Sequence, residues 1–154
     1  MNYNPETGRS QKGYIYWDNS VKHRNKPCLF GLHLLNESEK KIAIVESEKT
    51  AILMSIFMPF YTWMACGGSN GLRTEKLKYF NNREVHLFPD VGWYNDWSER
   101  MERLRSFYPY ATFEISREPE ILAEKGYLRH GDDIADYYLS NYTFSHKQEK
   151  FIHL

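Results

Sequence analysis

Four short segments rich in apolar and aromatic residues occur along the chain, separated by stretches with helical or mixed spacing. They cover residues 42–45, 61–65, 85–88 and 111–115. The first is a continuous apolar run, which is typical of a strand that is covered on both faces. We therefore predict a sheet of about four strands.

Helical patterns occupy the intervals between these strands. Residues 50–58 form a predicted helix that carries Leu53, Ile56 and Phe57 on one side and ends at Pro59. A second, shorter helix is predicted for residues 74–80.

Two further helices follow in the second half of the chain. Residues 96–99 have the form of a capping box that begins at Asp96, and residues 133–139 form a helix capped at Asp132 or Asp133. The first of these helices repeats large apolar residues along one face, at Trp97, Met101, Leu104 and Tyr108.

This alternation of strands and helices predicts the fold class. Short connections between strands and helices imply an α/β protein with a mainly parallel sheet and right-handed crossovers. Glu46 directly follows the first strand and Asp90 follows the third. Because the carboxyl ends of parallel strands meet at one edge, we expect these two carboxylates to face the same crevice.

The predicted organisation is a β-rich lead-in at residues 1–40, a main domain at residues 41–140 and a tail at residues 141–154. The lead-in contains a predicted strand at residues 14–17, and the tail has no periodic signal. With 154 residues and 42% hydrophobic content, the chain is long enough to bury one core.

Charge is balanced overall but uneven along the chain. Residues 1–83 contain 12 Lys and Arg against 7 Asp and Glu, whereas residues 84–154 contain 8 against 13. Such an asymmetry fits a protein that holds a polyanion on one surface and divalent cations on another.

The cysteine content and hydropathy favour a reducing, cytoplasmic location. Cys28 and Cys66 are the two cysteines, no secretory signal is visible, and no apolar stretch reaches the roughly 18 residues of a membrane span. The six His residues lack ligand spacing along the sequence, so we expect no structural zinc site.

The carboxylates of Glu46 and Asp90 predict a site for Mg²⁺ or Mn²⁺. Two converging carboxylates need a cation to neutralise them, and hard oxygen ligands select these ions. Such a site leaves coordination positions for phosphate oxygens and suits phosphoryl or nucleotidyl transfer. The glycine-rich turn at residues 67–71 is a weaker candidate for holding a phosphate through its backbone N–H groups.

A basic cluster near the N-terminus is a candidate nucleic-acid surface. Lys22, Arg24 and Lys26 lie beside aromatic residues, the combination that attracts and stacks single-stranded nucleic acid. An ordinary polar edge hairpin is the alternative interpretation. The aromatic residues near Asp90 also have two interpretations, base stacking and packing, and we favour packing. These residues are Trp93, Tyr94 and Trp97.

Three segments together resemble the Toprim (topoisomerase–primase) domain, most closely the primase-like Toprim proteins of phages and mobile elements. They are residues 44–51, the Gly67-Gly68 turn, and Leu87-Phe88-Pro89-Asp90. The resemblance covers roughly residues 40–140, and residues 4–12 resemble the lead-in of such primases. It implies that Glu46 is the general acid or base.

The resemblance also implies a Mg²⁺ site built on an Asp-x-Asp pair, and here the chain departs from it. Asp90-Val91-Gly92 lacks the second acid. Asp96 or Asp133 is a candidate replacement ligand, although both also suit helix capping. Lys49 is a candidate for contacting a phosphate, or for pairing with a neighbouring glutamate, Glu46 or Glu48.

The resemblance leads us to expect a primase-like protein of DNA replication or mobilisation that acts on single-stranded DNA and nucleotides. A zinc-binding primase module or a helicase is the expected partner, and we expect no primer synthesis by this chain alone. The alternatives are a Toprim-type nuclease and a catalytically impaired adaptor that binds DNA or nucleotides for a mobile element.

Overall fold

The computed structural model describes residues 28–37, 41–80 and 82–151. The predicted lead-in up to residue 27, including the basic cluster of Lys22, Arg24 and Lys26, lies outside these residues. Within the described part of the chain, no helix is both long and apolar enough to cross a membrane.

Four parallel strands form one sheet in the order β2-β1-β3-β4. They are β1 (Lys41–Val45), β2 (Tyr61–Ala65), β3 (Glu84–Leu87) and β4 (Thr112–Ile115). Each strand coincides with one of the four apolar and aromatic segments. The predicted α/β class with a mainly parallel sheet is therefore confirmed.

Four α-helices of the described residues flank this sheet in a Rossmann-like arrangement. They are α1 (Glu48–Phe57), α2 (Tyr94–Phe107), α3 (Glu118–Glu124) and α4 (Ile134–Phe151). Residues 118–124 gave no clear pattern in the sequence. Helix α4 continues to Phe151, so the expected boundary between domain and tail at residue 140 falls inside a helix.

The sheet separates two hydrophobic clusters. One cluster joins Ile42, Ile44 and Leu87 to the buried face of α2, as the spacing of Trp97, Met101 and Leu104 predicted. The other cluster joins the opposite face of β1 and β2 to α1, α3 and α4 through Ala43, Val45, Trp63, Met54, Leu122 and Ile134.

The strand order creates a switch in chain direction between β1 and β3. The chain leaves β1, forms β2 on one side of it, and returns to place β3 on the other side. Ligands of open α/β sheets bind outside the carboxyl ends of the strands at such a switch point. Glu46 and Asp90 follow the two strands that border it.

The helix predicted for residues 74–80 is wrong. Only a 3₁₀ turn forms, at Thr74–Lys76. The Thr74 carbonyl accepts from the backbone N–H of Leu77 and from the Tyr108 hydroxyl, at 3.0 and 2.6 Å. These bonds favour i-to-i+3 pairing, and both Leu77 and Phe80 turn into the core.

Helix α1 begins earlier and buries a different side than the pattern indicated. Ser47 caps it by accepting from the Thr50 backbone N–H at 3.2 Å. Its buried residues are Thr50, Ala51 and Met54, whereas Ile56 is 70% exposed. The smaller side chains allow the helix to approach the sheet closely.

The capping box predicted at Asp96 is also wrong. Helix α2 begins at Tyr94, with Trp93 in the capping position and no side-chain cap. A turn precedes the helix, because the Trp93 N–H donates to the Asp90 carbonyl at 3.0 Å, and Trp97 then makes the first helical bond to Trp93. Asp96 therefore lies inside the first helical turn.

Candidate functional site

The end of β1 fixes Glu46 in the crevice. Its carbonyl accepts from the N–H groups of Gly67 and Gly68, both at 2.9 Å, and its side chain points into a buried position with 7% of the residue exposed. Because these two N–H groups bind Glu46, they do not form the phosphate cradle that was considered for this turn.

The Glu46 carboxyl is short of hydrogen-bond donors. Among the described residues, its Oε1 atom is buried without a hydrogen-bond partner. Burial raises the pKa of Glu46, and the charges of Asp96 and Asp133 add to this effect, while the Asp90 backbone N–H and Arg100 oppose it. A cation or a proton is needed to compensate this group.

Asp90 is the second acid of the crevice, three residues beyond β3. Burial, followed by the charges of Glu46 and Asp133, raises the pKa of Asp90 from 3.8 to about 8. Its carboxyl therefore favours the protonated form near neutral pH in the absence of metal. The structure places Glu46 close enough to Asp90 for the Glu46 charge to act on the Asp90 carboxyl, as expected from the sequence.

Asp133 is held by four donors and caps α4, which confirms one of the two predicted caps. Its Oδ2 accepts from the Thr50 hydroxyl at 2.7 Å and lies 2.9 Å from Lys49 Nζ. Its Oδ1 accepts from the N–H groups of Ala135 and Asp136 at 2.9 and 3.2 Å. Both oxygens are occupied, so Asp133 is better suited to positioning than to metal binding.

Lys49 pairs with aspartates of α4 rather than with Glu46 or Glu48. Its Nζ lies 2.9 Å from Asp133 and 3.1 Å from Asp136. The positive charge of Lys49 works against the rise in the pKa of Asp90, although burial and the neighbouring carboxylates outweigh it. The prediction of a Lys49 pair with a neighbouring glutamate is therefore wrong.

Asp96 lies at the border of the crevice and forms a pair with Arg100. Its Oδ2 is 2.8 Å from Arg100 Nε, at an angle outside the hydrogen-bond range, and 41% of its side chain is exposed. Arg100 also donates to Asn70 at 2.9 Å. Asp96 influences Glu46 through its charge but is partly neutralised by this arginine.

The crevice contains two available carboxylates rather than a compact set of three ligands. Of the Asp, Glu, His and Cys residues that the structure describes, no three at this edge bring one ligand atom each within 4.8 Å of one another. Glu46 and Asp90 nevertheless suit Mg²⁺, which often binds one or two carboxylates and keeps several waters. The unpartnered Glu46 Oε1 supports this match.

Gly92 occupies the position at which an Asp-x-Asp pair would have its second acid. Its φ is +95°, and a Cβ at this position would lie 2.5 Å from His130 Nε2. Its N–H donates to Glu120 Oε1 at 2.8 Å. A side chain here would adopt a strained backbone conformation and require the exposed His130 ring to move.

Aromatic and thiol groups at this edge serve packing. Trp97 is fully buried, which confirms packing for this residue, and Tyr94 lies 5.3 Å from the guanidinium of Arg117. Burial, with a smaller contribution from Glu46, raises the pKa of Cys66 to about 12. Cys66 therefore stays a neutral thiol and is a poor nucleophile.

Sequence reasoning missed two residues of this site, Thr50 and Arg100. The Asp133-x-x-Asp136 spacing is a capping signal, and the structure shows both reciprocal bonds. Arg100 stands four residues after Asp96, a spacing that places both on one helical face. Nothing in the sequence indicates that the Thr50 hydroxyl contacts Asp133, because 83 residues separate them.

Replacing Gly92 with alanine should destabilise the protein by more than the positive φ alone explains. Gly126 is the matched control, since its φ is +80° and its Cβ position is open. We expect Gly126→Ala to cost about 1 kcal/mol and Gly92→Ala more than this, because the exposed His130 ring must also move away from the new Cβ. Urea unfolding measures both. Adding His130→Ala should restore part of the loss, and equal losses at the two glycines would contradict the steric conflict.

The metal-free protein should lose stability as pH rises. Folded Asp90 holds its proton more tightly than unfolded Asp90, so folding stability is fully present below about pH 4 and falls until about pH 8. Because of this group, the free energy of unfolding should fall by at most about 1.4 kcal/mol per pH unit. Unfolding in EDTA between pH 5 and pH 8 measures it. Asp90→Asn should flatten the slope relative to a Glu124→Gln control, and unchanged slopes would refute the assignment.

Comparison of the chain with models of protein families gives one match. Its model, described as "Domain of unknown function (DUF6371)", matches residues 1–91, which include β1, β2, β3, Glu46 and Asp90. No curated protein and no solved structure matches the chain. Because the match covers more than half of the sequence, the chain belongs to the DUF6371 family.

Proposed function

We propose that this chain is a Toprim-like, primase-like protein that performs Mg²⁺- or Mn²⁺-dependent nucleotidyl or phosphoryl transfer on single-stranded DNA. The observation that carries the proposal is the pair Glu46 and Asp90 beside the switch point between β1 and β3. The unpartnered Glu46 Oε1 adds a buried carboxylate that needs a cation.

Glu46 and Asp90 are the residues that would hold the metal. When bound, Mg²⁺ or Mn²⁺ neutralises the two carboxylates and offers coordination positions to phosphate oxygens. Asp90 follows a strand whose hydrogen bonds with β1 and β4 fix its direction. Its position therefore changes little when the charge of the crevice changes.

Glu46 is the proposed general base. Its Oε1 atom has no hydrogen-bond partner among the described residues, so it is available to accept a proton from an attacking hydroxyl. From the sequence, Lys49 is a candidate catalytic residue and Asp133 a candidate metal ligand. In this proposal the two residues act through their mutual contact instead. They attach the start of α1 to the start of α4 and so keep the crevice in shape.

The remaining features of the proposal concern partners and setting. Nucleotides and single-stranded DNA are the proposed ligands, with Lys22, Arg24 and Lys26 as additional phosphate contacts. A zinc-binding primase module or a helicase would supply the anchoring of the template that primer synthesis needs. The setting is cytoplasmic DNA replication or mobilisation.

An adaptor function is the second candidate, and Gly92 is the observation that favours it. A second acid at this position would need a strained φ and displacement of the His130 ring, which disfavours the acid pair of the Toprim family. An adaptor would bind DNA or nucleotides without metal-dependent chemistry. A nuclease differs from both because it would cleave the DNA.

Asp90→Asn should weaken Mn²⁺ binding more than Asp96→Asn. Asp90 is buried beside Glu46, whereas Asp96 is paired with Arg100 and partly exposed. Calorimetric titration of Mn²⁺ into both variants measures the difference, which we expect to be at least about tenfold. A larger loss for Asp96→Asn would make the ligand assignment wrong.

Binding of a nucleoside triphosphate should depend on Mn²⁺ and on both acids. We expect Glu46→Gln and Asp90→Asn to weaken nucleotide binding at least about tenfold in Mn²⁺ and to change little in EDTA. Glu124→Gln, on the exposed side of α3, is the matched carboxylate control. Fluorescence anisotropy of a labelled nucleotide measures binding, and a labelled single-stranded oligonucleotide in the same mixture reports cleavage.

The outcomes separate the three functions. Metal-dependent nucleotide binding without cleavage supports the primase-like function. Metal-dependent cleavage that disappears in Glu46→Gln would replace it with a nuclease. DNA binding that is indifferent to Mn²⁺ and to both acids would replace it with the adaptor.

A further inference from the structure

The β3–β4 half of the sheet has a polar face that carries three metal-binding side chains. On β3, Glu84 and His86 alternate with the buried residues Val85 and Leu87 and therefore point to the opposite face of the sheet. Glu114 on β4 lies on the same face. Helices α1 and α4 belong to the cluster over β1 and β2. In the described part of the chain this half is open, with 35% of the Glu84 and 60% of the Glu114 side chain exposed.

The register of β3 and β4 brings the three side chains together. His86 is directly opposite Glu114, and Glu84 lies two residues earlier on the same face. His86 Nε2 is 2.8 Å from Glu84 Oε1, and His86 Nδ1 is 3.6 Å from Glu114 Oε2. One ligand atom from each residue lies within 4.8 Å of the others. Tetrahedral Zn²⁺ holds its ligand atoms about 3.3 Å apart, so side-chain rotations alone close the site.

The His86 ring lies between the two carboxylates. Its Nε2 faces Glu84, whereas its Nδ1 faces Glu114 and lies 3.3 Å from the Tyr61 hydroxyl. A metal-binding histidine usually donates its other N–H to an outer partner. A metal on Nε2 would leave Nδ1–H for Tyr61 and would require the exposed Glu114 side chain to rotate toward it.

We propose that Glu84, His86 and Glu114 form a Zn²⁺ site that is separate from the acidic crevice. An imidazole with two carboxylates suits Zn²⁺ better than Mg²⁺, which prefers oxygen ligands. Three protein ligands leave a coordination position for water or a small anion. A cavity of about 300 Å³, lined by His86, Glu114, Phe88 and Ser116, provides the space for it.

This site does not depend on the proposed function. Its three side chains lie on a face of β3 and β4, whereas Glu46 and Asp90 follow the carboxyl ends of β1 and β3. The ligand spacing is not visible along the chain, because Glu114 lies 28 residues after His86 and joins it only through the pairing of β3 with β4.

Lys41 distinguishes a metal site from a simple ion-pair network. Its Nζ lies 2.5 Å from Glu84 Oε1, the same oxygen that contacts His86. If Lys41, Glu84, His86 and Glu114 form only an ion-pair network, the chain does not bind Zn²⁺, and removing Lys41 does not change this. In a metal site, removing this positive charge strengthens Zn²⁺ binding, because Lys41 repels the cation.

The test is calorimetric titration of Zn²⁺ into the full chain in excess Mg²⁺, which occupies the acidic crevice. We expect one Zn²⁺ per chain and a rise in melting temperature from binding to the folded state. His86→Ala and Glu114→Gln should each weaken binding at least about tenfold, while Lys41→Met should strengthen it. Asp90→Asn and Glu124→Gln should leave it unchanged.

Glu114→Gln keeps the test valid if His86→Ala fails to fold, since the Glu114 side chain is mostly exposed. Co²⁺ gives a second readout, as a tetrahedral site produces intense visible absorption that an ion-pair network lacks. Zn²⁺ binding that is absent, or that persists unchanged in Glu114→Gln, would overturn the proposal. So would a loss of Zn²⁺ binding in Asp90→Asn, which would place the ion in the crevice.

Discussion

The shape of the crevice depends on the hydrogen bonds and the ion pair that the Asp133 carboxylate forms. A buried carboxylate is costly unless donors surround it, and Asp133 meets this condition with donors from two distant parts of the chain. Thr50 and Lys49 come from the start of α1, whereas the Ala135 and Asp136 N–H groups belong to α4. The same group therefore starts α4 and attaches it to α1, the helix that follows Glu46.

Glu46 and Asp90 lie beside this well-satisfied group but have fewer donors. Burial is the main cause of the raised pKa of both groups, and the charge of Asp133 adds to it, while Arg100 opposes the rise at Glu46 and Lys49 opposes it at Asp90. A proton neutralises such a carboxylate, and in the proposed function a divalent cation would replace that proton. The contacts of Asp133 already hold the protein part of the crevice in place.

The sequence was sufficient for the sheet because a strand covered on both faces has few alternatives. The apolar run at residues 42–45, stopped by Glu46, predicted both β1 and the acid at its end. The predictions from the sequence failed where contacts between residues far apart in the chain decide the local structure. The Tyr108 hydroxyl limits the 74–80 segment to a 3₁₀ turn, and the turn at Asp90 starts α2 before Asp96. Pairings across the fold, such as Thr50 with Asp133, leave no periodic signal in the chain.

The conformation of Gly92 also restricts how this site can change over evolutionary time. A single substitution to aspartate would require an unfavourable backbone conformation and displacement of His130 at once. A lineage that started from this structure would therefore meet a barrier on the direct path to an Asp-x-Asp pair. An acid already contacts this turn from α3, because Glu120 accepts a hydrogen bond from the Gly92 N–H, so a carboxylate at this turn does not have to come from residue 92.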